Sequence, residues 1–263
     1  MTTNSPAPDH RSDPAIAKGQ TVDPDEVAFF AKIADTWWDP KGPFKPLHQL
    51  NPTRLKYIRD ICCEHFGLDT QDLHPFNGLS LLDIGCGGGL ISEPMARLGA
   101  DVTGVDASEK NIKTASVHAE QNGINIRYLN TTAEKLADAG HQYDIIVNME
   151  VIEHVADVDA YLKACHSLLK PDGVMLVSTL NRTAKSMLFA KIGAEYIMRW
   201  LPVGAHDWQK FITPDELSSY LEKAGFQTDK PTGFCFNLLA RKWRLDMSDT
   251  AVNYAVPAFK KAA

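Results

Sequence analysis

From Leu79 onward, short apolar runs alternate with amphipathic stretches in a regular rhythm. The apolar runs predict strands at Leu79–Ile84, Val102–Val105, Ile126–Leu129, Tyr143–Asn148 and Val174–Ser178. Between them, helical spacing predicts helices at Leu90–Leu98, Glu109–Asn122, Glu134–Ala139 and Val158–Leu168. Strand–helix–strand units with short connections imply an α/β fold with a doubly wound, mostly parallel sheet. Lys170-Pro171-Asp172-Gly173 is a turn ahead of the fifth strand. Thr213-Pro214-Asp215-Glu216 caps a further helix that closes at Ala224-Gly225-Phe226. Later strands are expected near Gln227–Thr228, Cys235–Asn237 and Val252–Val256; the sheet is read as seven-stranded, one fewer than the eight runs.

Upstream, Asp23-Pro24-Asp25-Glu26 starts a helix over Val27–Trp38, and Asn51-Pro52 starts a second that runs to about Phe66. The expected organisation is a disordered polar tail over 1–22, a helical cap over 23–78 and a main domain over 79–263. One stretch breaks the rhythm. Residues 181–210 are too long for a plain connection and predict a helical insertion after strand 5. Within it, Lys191, Glu195 and Arg199 form a narrow polar stripe, while Met187, Phe189, Tyr196, Ile197, Met198, Trp200 and Leu201 cover most of the remaining circumference. Such a face suits a membrane interface, a lid packed on the sheet or a dimer contact.

Composition changes this picture only by exclusion. The 263 residues carry a formal charge of −6, against the basic surplus expected of a nucleic-acid binder. Five cysteines (Cys62, Cys63, Cys86, Cys165 and Cys235) without a C-x-x-C pair suit free thiols in a reducing compartment. No apolar run reaches the length of a membrane span, so a cytoplasmic location is expected.

The chemistry starts at Asp83-Ile84-Gly85-Cys86-Gly87-Gly88-Gly89, where a buried strand ends in a glycine cluster that opens a helix. The sixth position of a nicotinamide fingerprint is Leu90, so G-x-G-x-x-G fails. The Asp-x-Gly-x-Gly-x-Gly pattern instead resembles the first motif of class I S-adenosylmethionine (SAM) methyltransferases. Asp106 ends the second strand about twenty residues later, where a ribose-binding acid belongs, or else caps the next helix. Thr132-Ala133-Glu134 offers backbone groups to adenine or caps a helix, and Met149 packs on an adenosyl group or in the core.

After the fourth strand comes Asn148-Met149-Glu150-Val151-Ile152-Glu153-His154. Two carboxylates and an imidazole make a plausible hard-cation site, with Glu150, Glu153 and His154 as ligands to Mg²⁺ or another divalent cation. Alternatively His154 is a metal-free general base, its ordinary pKa being about 6.5. The Asn- or Asp-Pro-Pro-aromatic clamp of base-amine methyltransferases is missing here, which with the acidic charge disfavours nucleic acid as substrate.

Several further segments are specific. Trp37-Trp38-Asp39, Phe44-Lys45-Pro46-Leu47-His48, Asn51-Pro52-x-Arg54-Leu55, Met149-Glu150-x-x-Glu153-His154, Ser178-Thr179-Leu180-Asn181-Arg182, Gly193-Ala194-Glu195-Tyr196-Ile197 and His206-Asp207-Trp208-Gln209-Lys210-Phe211-Ile212 resemble the ubiquinone biosynthesis O-methyltransferases. The resemblance spans roughly Phe29 to Tyr254. It implies SAM-dependent methylation of a polyprenyl catechol and of demethylubiquinol, with SAM contacts from Arg54, Gly85, Asp106 and Met149. It also links Glu150, Glu153 and His154 with a divalent cation in eukaryotic relatives. A bilayer-resident substrate implies peripheral association with the inner membrane surface through the helix over 186–201, and contact with other enzymes of that biosynthesis. The rival readings are an O-methyltransferase for another hydrophobic phenol and a SAM-binding scaffold of a membrane-surface complex.

Overall fold

The computed structural model describes residues 21–22, 24–187, 208–237 and 239–260. The central strand of the sheet shows why the layers form as they do. Strand β4 (Tyr143–Met149) carries Ile145, Ile146 and Val147 in succession, all fully buried, so both of its faces need covering. Parallel neighbours β1 (Ser80–Ile84), β2 (Asp101–Asp106), β3 (Arg127–Asn130) and β5 (Leu169–Leu180) surround it in the order β3-β2-β1-β4-β5. One face is covered by α5 (Ala133–Asp138), α6 (Val158–Leu168) and α7 (Pro214–Lys223), which meet Leu82, Ile146, Met175 and Val177. The other is covered by α2 (Lys45–Phe66) and α3 (Ser92–Arg97), over Leu81, Ile145, Val147 and Leu176. Helix α4 (Glu109–Gln121) connects β2 to β3.

Beyond β5 the sheet turns antiparallel. Strand β9 (Asn253–Lys260) pairs with β5 over seven residues, from Val174↔Phe259 to Leu180↔Asn253. Strands β6 (Phe226–Thr228) and β7 (Thr232–Asn237) both register against β9, at 258–260 and 254–255 respectively. They share one sheet position, broken next to Pro231, which has no amide to donate. An outer strand β8 (Lys242–Asp246) then pairs with β7. The described sheet therefore has nine strands against an expected seven-stranded sheet: the two expected runs at β6 and β7 share one position, and β8, which no run predicted, adds an edge.

Three boundaries also differ. Helix α2 begins at Lys45, six residues before the expected start, and carries Pro52 in its interior. Pro46 in the first turn supplies the start that was assigned to Asn51-Pro52. Helix α1 (Pro24–Ile33) gives way to a 3₁₀ turn at Ala34–Thr36, so Trp37 and Trp38 lie outside it. The Lys170–Gly173 turn is an irregularity within β5, with Leu169 opposite Tyr143 and Val174 opposite Ile145. Of the tail expected over 1–22, residues 1–20 lie outside the described residues, but Thr21 is buried and its carbonyl accepts from the Ala156 amide at 3.0 Å, and Val22 bridges to Val155. Nearly all of the insertion helix over 186–201 also lies outside them.

Candidate functional site

The carboxyl ends of β1, β2, β4 and β5 open into one cavity of about 740 Å³. Arg54, Gly85, Asp106, Met149, Glu150, Glu153 and His154 all line it, as do Asp83 and Glu134. The topology accounts for this: strand ends at a sheet's switch point leave a crevice between the connections on its two faces.

The glycine loop is shaped as much by protein as by any ligand. Gly85 and Gly87 sit at φ +68° and +53°, where L side chains are strained. A Cβ at Gly85 would lie 2.5 Å from Val151, and one at Gly88 would lie 2.4 Å from Trp37. Trp37 stacks on Phe44 at 3.7 Å between ring centres, and its indole donates to Asn111 at 3.0 Å. Trp38 donates to the Gly88 carbonyl at 2.8 Å and stacks on His118 at 3.5 Å. Asn51 donates to the Leu90 carbonyl at 2.7 Å. The chain between α1 and α2 is thus pinned onto the loop.

Asp106 reaches into the same crevice. Its Oδ2 accepts from the Gly87 amide at 3.0 Å, and its Oδ1 accepts from the Ser108 amide at 2.7 Å and the Asn111 side chain at 3.2 Å. Ser108, not Asp106, is the N-cap of α4. A carboxylate has about four acceptor positions, which leaves capacity for ribose hydroxyls. Burial raises the Asp106 pKa against those hydrogen bonds. Asp83, deeper still, is pushed up to about 7, chiefly by desolvation; the Ser92 hydroxyl, donating at 2.5 Å, opposes the shift.

At the opposite wall Arg54 is buried and ion-paired with Glu150. The Asn253 amide of β9 donates to the same Glu150 oxygen at 2.5 Å. Glu150 sits at φ +58°, uncommon for a non-glycine residue and characteristic of functional clefts. Nε of Arg54 is buried without a hydrogen-bond acceptor among the described residues, and Oε1 of Glu134 is buried without a donor. A carboxylate-bearing, amine-bearing nucleoside therefore fits this cavity: acceptor to Arg54, donors to Asp106 and Glu134, and an apolar seat on Met149. Thr132 accepts from the Lys135 amide, so it is a helix cap, while Glu134, two residues on, carries an unsatisfied atom into the crevice.

The three residues expected as metal ligands share the cavity but are turned to different partners. Glu150 faces Arg54 and Asn253, while Glu153 is buried and accepts from the Thr179 hydroxyl at 2.9 Å. His154 ends a 3₁₀ turn (Ile152–His154) with its ring edge-on to Phe30 at 5.9 Å. Among the described residues no group of three His, Cys, Asp or Glu side chains converges as a metal site. The arrangement does not fit a three-ligand cation. Burial raises the Glu153 pKa to about 7, with His154 opposing the shift.

A methyltransferase domain model matches residues 56–230, which span the glycine loop, β2, β4 and α7. The ubiquinone biosynthesis O-methyltransferase of Cereibacter sphaeroides is 56% identical over 240 residues, covering 91% of this chain and 97% of that one. The chain belongs to the ubiquinone biosynthesis O-methyltransferase family. Among solved structures, the magnesium protoporphyrin IX methyltransferase of Synechocystis with bound S-adenosylhomocysteine aligns at TM-score 0.55 and 21% identity, over 80% of this chain and 84% of that one. A SAM-dependent methyltransferase from Thermotoga maritima aligns at TM-score 0.63 and 17% identity, over 90% and 100%. These two show the fold, of the α/β class expected from the strand rhythm, while the domain model and the named relative make the family member a SAM-dependent methyltransferase.

Several lining residues had no sequence signal of their own. Asn253 and Trp243 arrive from β9 and β8, far along the chain, and only the sheet order brings them here. Asn111 was detectable, five residues after Asp106 on the first turn of α4.

Proposed function

We propose that the chain transfers the methyl group of SAM to a phenolic oxygen of polyprenylated catechols and of demethylubiquinol in ubiquinone biosynthesis. The observation that carries this is the single cavity joining a nucleoside-binding end (Asp106, Glu134, Met149) to His154 and an aromatic wall of Phe29, Phe30, Trp37 and Phe44. Arg54 holds the methionyl carboxylate, Gly85 lets the backbone approach, and Asp106 takes the ribose. His154 accepts the phenol proton; the phenolate oxygen bonds to the methyl carbon as the carbon–sulfur bond breaks, and S-adenosylhomocysteine leaves.

The apolar side of the cavity has room for a ring bearing an isoprenoid tail. A tail of that kind calls for reach to a bilayer surface, and the face expected for it over 186–201 supports that assignment from sequence alone. Among the described residues no helix is long and apolar enough to cross a membrane. The same pathway location makes other enzymes of ubiquinone biosynthesis its natural neighbours.

The test is methyl transfer from labelled SAM to a short-tailed demethylubiquinol, with and without EDTA. Transfer that survives chelation is expected, because the Glu150 and Glu153 carboxylates already have partners. Loss on chelation with rescue by Mg²⁺ would replace the proton acceptor by a metal-held catecholate. His154→Ala should lower turnover about 10²–10⁴-fold while SAM affinity by calorimetry stays near wild type. Normal turnover would remove His154 from the reaction.

A further inference from the structure

The hairpin of β7 and β8 has two unlike ends. Its base packs into the molecule: Phe234 lies edge-on to Tyr57 of α2 at 5.6 Å, and Trp243 and Leu245 join the core on that face. Phe236 and Trp243, with ring centres 5.3 Å apart, line the cavity. Its tip projects. Leu239 is 98% exposed, the most exposed large apolar side chain among the described residues, and Phe236 below it is 38% exposed. The tip is also an ordered turn: the Leu239 and Ala240 amides donate to the Asn237 side chain at 3.0 and 2.9 Å, and Arg241 takes φ +49°.

Charge at the tip runs opposite to that of the chain. The protein carries −6 overall, yet from Asn237 to Arg244 it has Arg241, Lys242 and Arg244 and no acid. Arg244 is paired with Asp246, at the hairpin base. Arg241 and Lys242 follow Leu239 by two and three residues, and both are exposed. A lone exposed leucine needs no explanation, but a leucine at a hairpin tip with two cations two and three residues on matches an interface of anionic headgroups over hydrocarbon. Met247, 68% exposed, follows the other end of β8. The chain segment that leads to residue 188 lies beside that end, with Lys185 paired to Asp249 at 2.8 Å.

We infer that the β7–β8 hairpin is a membrane-docking tongue whose tip, Leu239 with Arg241 and Lys242, seats on anionic phospholipid and sets the Phe236–Trp243 side of the cavity against the bilayer. Its purpose rests on the polyprenyl reading above; its existence does not, because lipid binding is read without turnover.

The experiment is co-sedimentation of the full-length protein with vesicles of phosphatidylcholine alone or of phosphatidylcholine with phosphatidylglycerol. Wild type should bind the anionic vesicles, and added salt should weaken it. Leu239→Ser should lower the partition about tenfold. Arg241→Gln combined with Lys242→Gln should lower it about 30-fold, and on the anionic vesicles only. Unchanged melting temperature and unchanged transfer to a short-tailed soluble acceptor keep folding and the active site out of the result. Wild-type failure to bind anionic vesicles, equal binding to neutral ones, or variants that bind like wild type would each overturn the tongue. If transfer to the soluble acceptor also fails in wild type, the substrate reading falls separately.

Discussion

At the residue scale the site is organised around buried carboxylates. Asp106 lies close enough to Asp83 for its charge to raise the Asp83 pKa, and desolvation raises both. A cationic sulfonium donor is well matched to such a crevice. The same burial makes the ligand-free fold pH-sensitive. The Asp83 pKa is about 7 when folded, against about 4 for an unfolded chain, so the folded state holds the proton more tightly. Its stabilising contribution is complete below about pH 4 and is lost as pH rises through 7. Asp83→Asn removes that dependence. Calorimetric melting at pH 5 and pH 8 should show the variant losing less stability than wild type over this range, by about 1–3 kcal/mol. Equal slopes would mean that Asp83 is ionised in the fold.

At the element scale the glycine loop and the N-terminal cap act as one unit. Gly88 is not at positive φ, so any penalty for a side chain there is steric and comes from Trp37. Gly88→Ala should push the Trp37–Phe44 stack off the loop and weaken SAM binding about tenfold or more by calorimetry. In a Trp37→Ala background the added penalty should largely vanish, which is the signature of direct coupling. Full additivity would put the loss elsewhere. Helix α7 offers a simpler case. Thr213 and Glu216 form a reciprocal capping box, and Glu216 also pairs with Arg182. Thr213→Ala should cost about 1 kcal/mol in denaturant unfolding, with little effect on SAM affinity.

Across the whole molecule, the last strand holds the two halves of the sheet together. Strand β9 lies between β5 and the β6/β7 position, with Tyr254, Ala255, Val256 and Ala258 fully buried. Tyr254 also donates to the Ile212 carbonyl at 2.9 Å, which ties β9 to the segment before α7. Truncation after Thr250 therefore exposes both core layers and an unpaired β5 edge. The truncated chain should show no cooperative melting by circular dichroism, whereas removal of residues 261–263 should leave the transition in place.

Read by itself, the sequence determined the local elements and the class of chemistry. Short apolar runs and helical spacing marked β1 to β5 and their helices, because buried strands need apolar residues throughout and surface helices need one apolar face. That the glycine loop and Asp106 line the cavity was legible because they stand at the carboxyl ends of the first two strands, where a sheet of this order opens its crevice. Strand β8 was legible in principle, with Trp243 and Leu245 alternating with Lys242, Arg244 and Asp246, but its polar positions hid a short edge strand. What only the tertiary structure decided were the partners across long separations. Glu150 looked like a metal ligand beside Glu153 and His154 until α2 and β9 brought Arg54 and Asn253 to it, 96 and 103 residues away. Trp37 looked like a helix residue until the glycine loop gave it a surface to cover. A carboxylate's role follows from the donor it meets, and that meeting is set by sheet order, which no local pattern encodes.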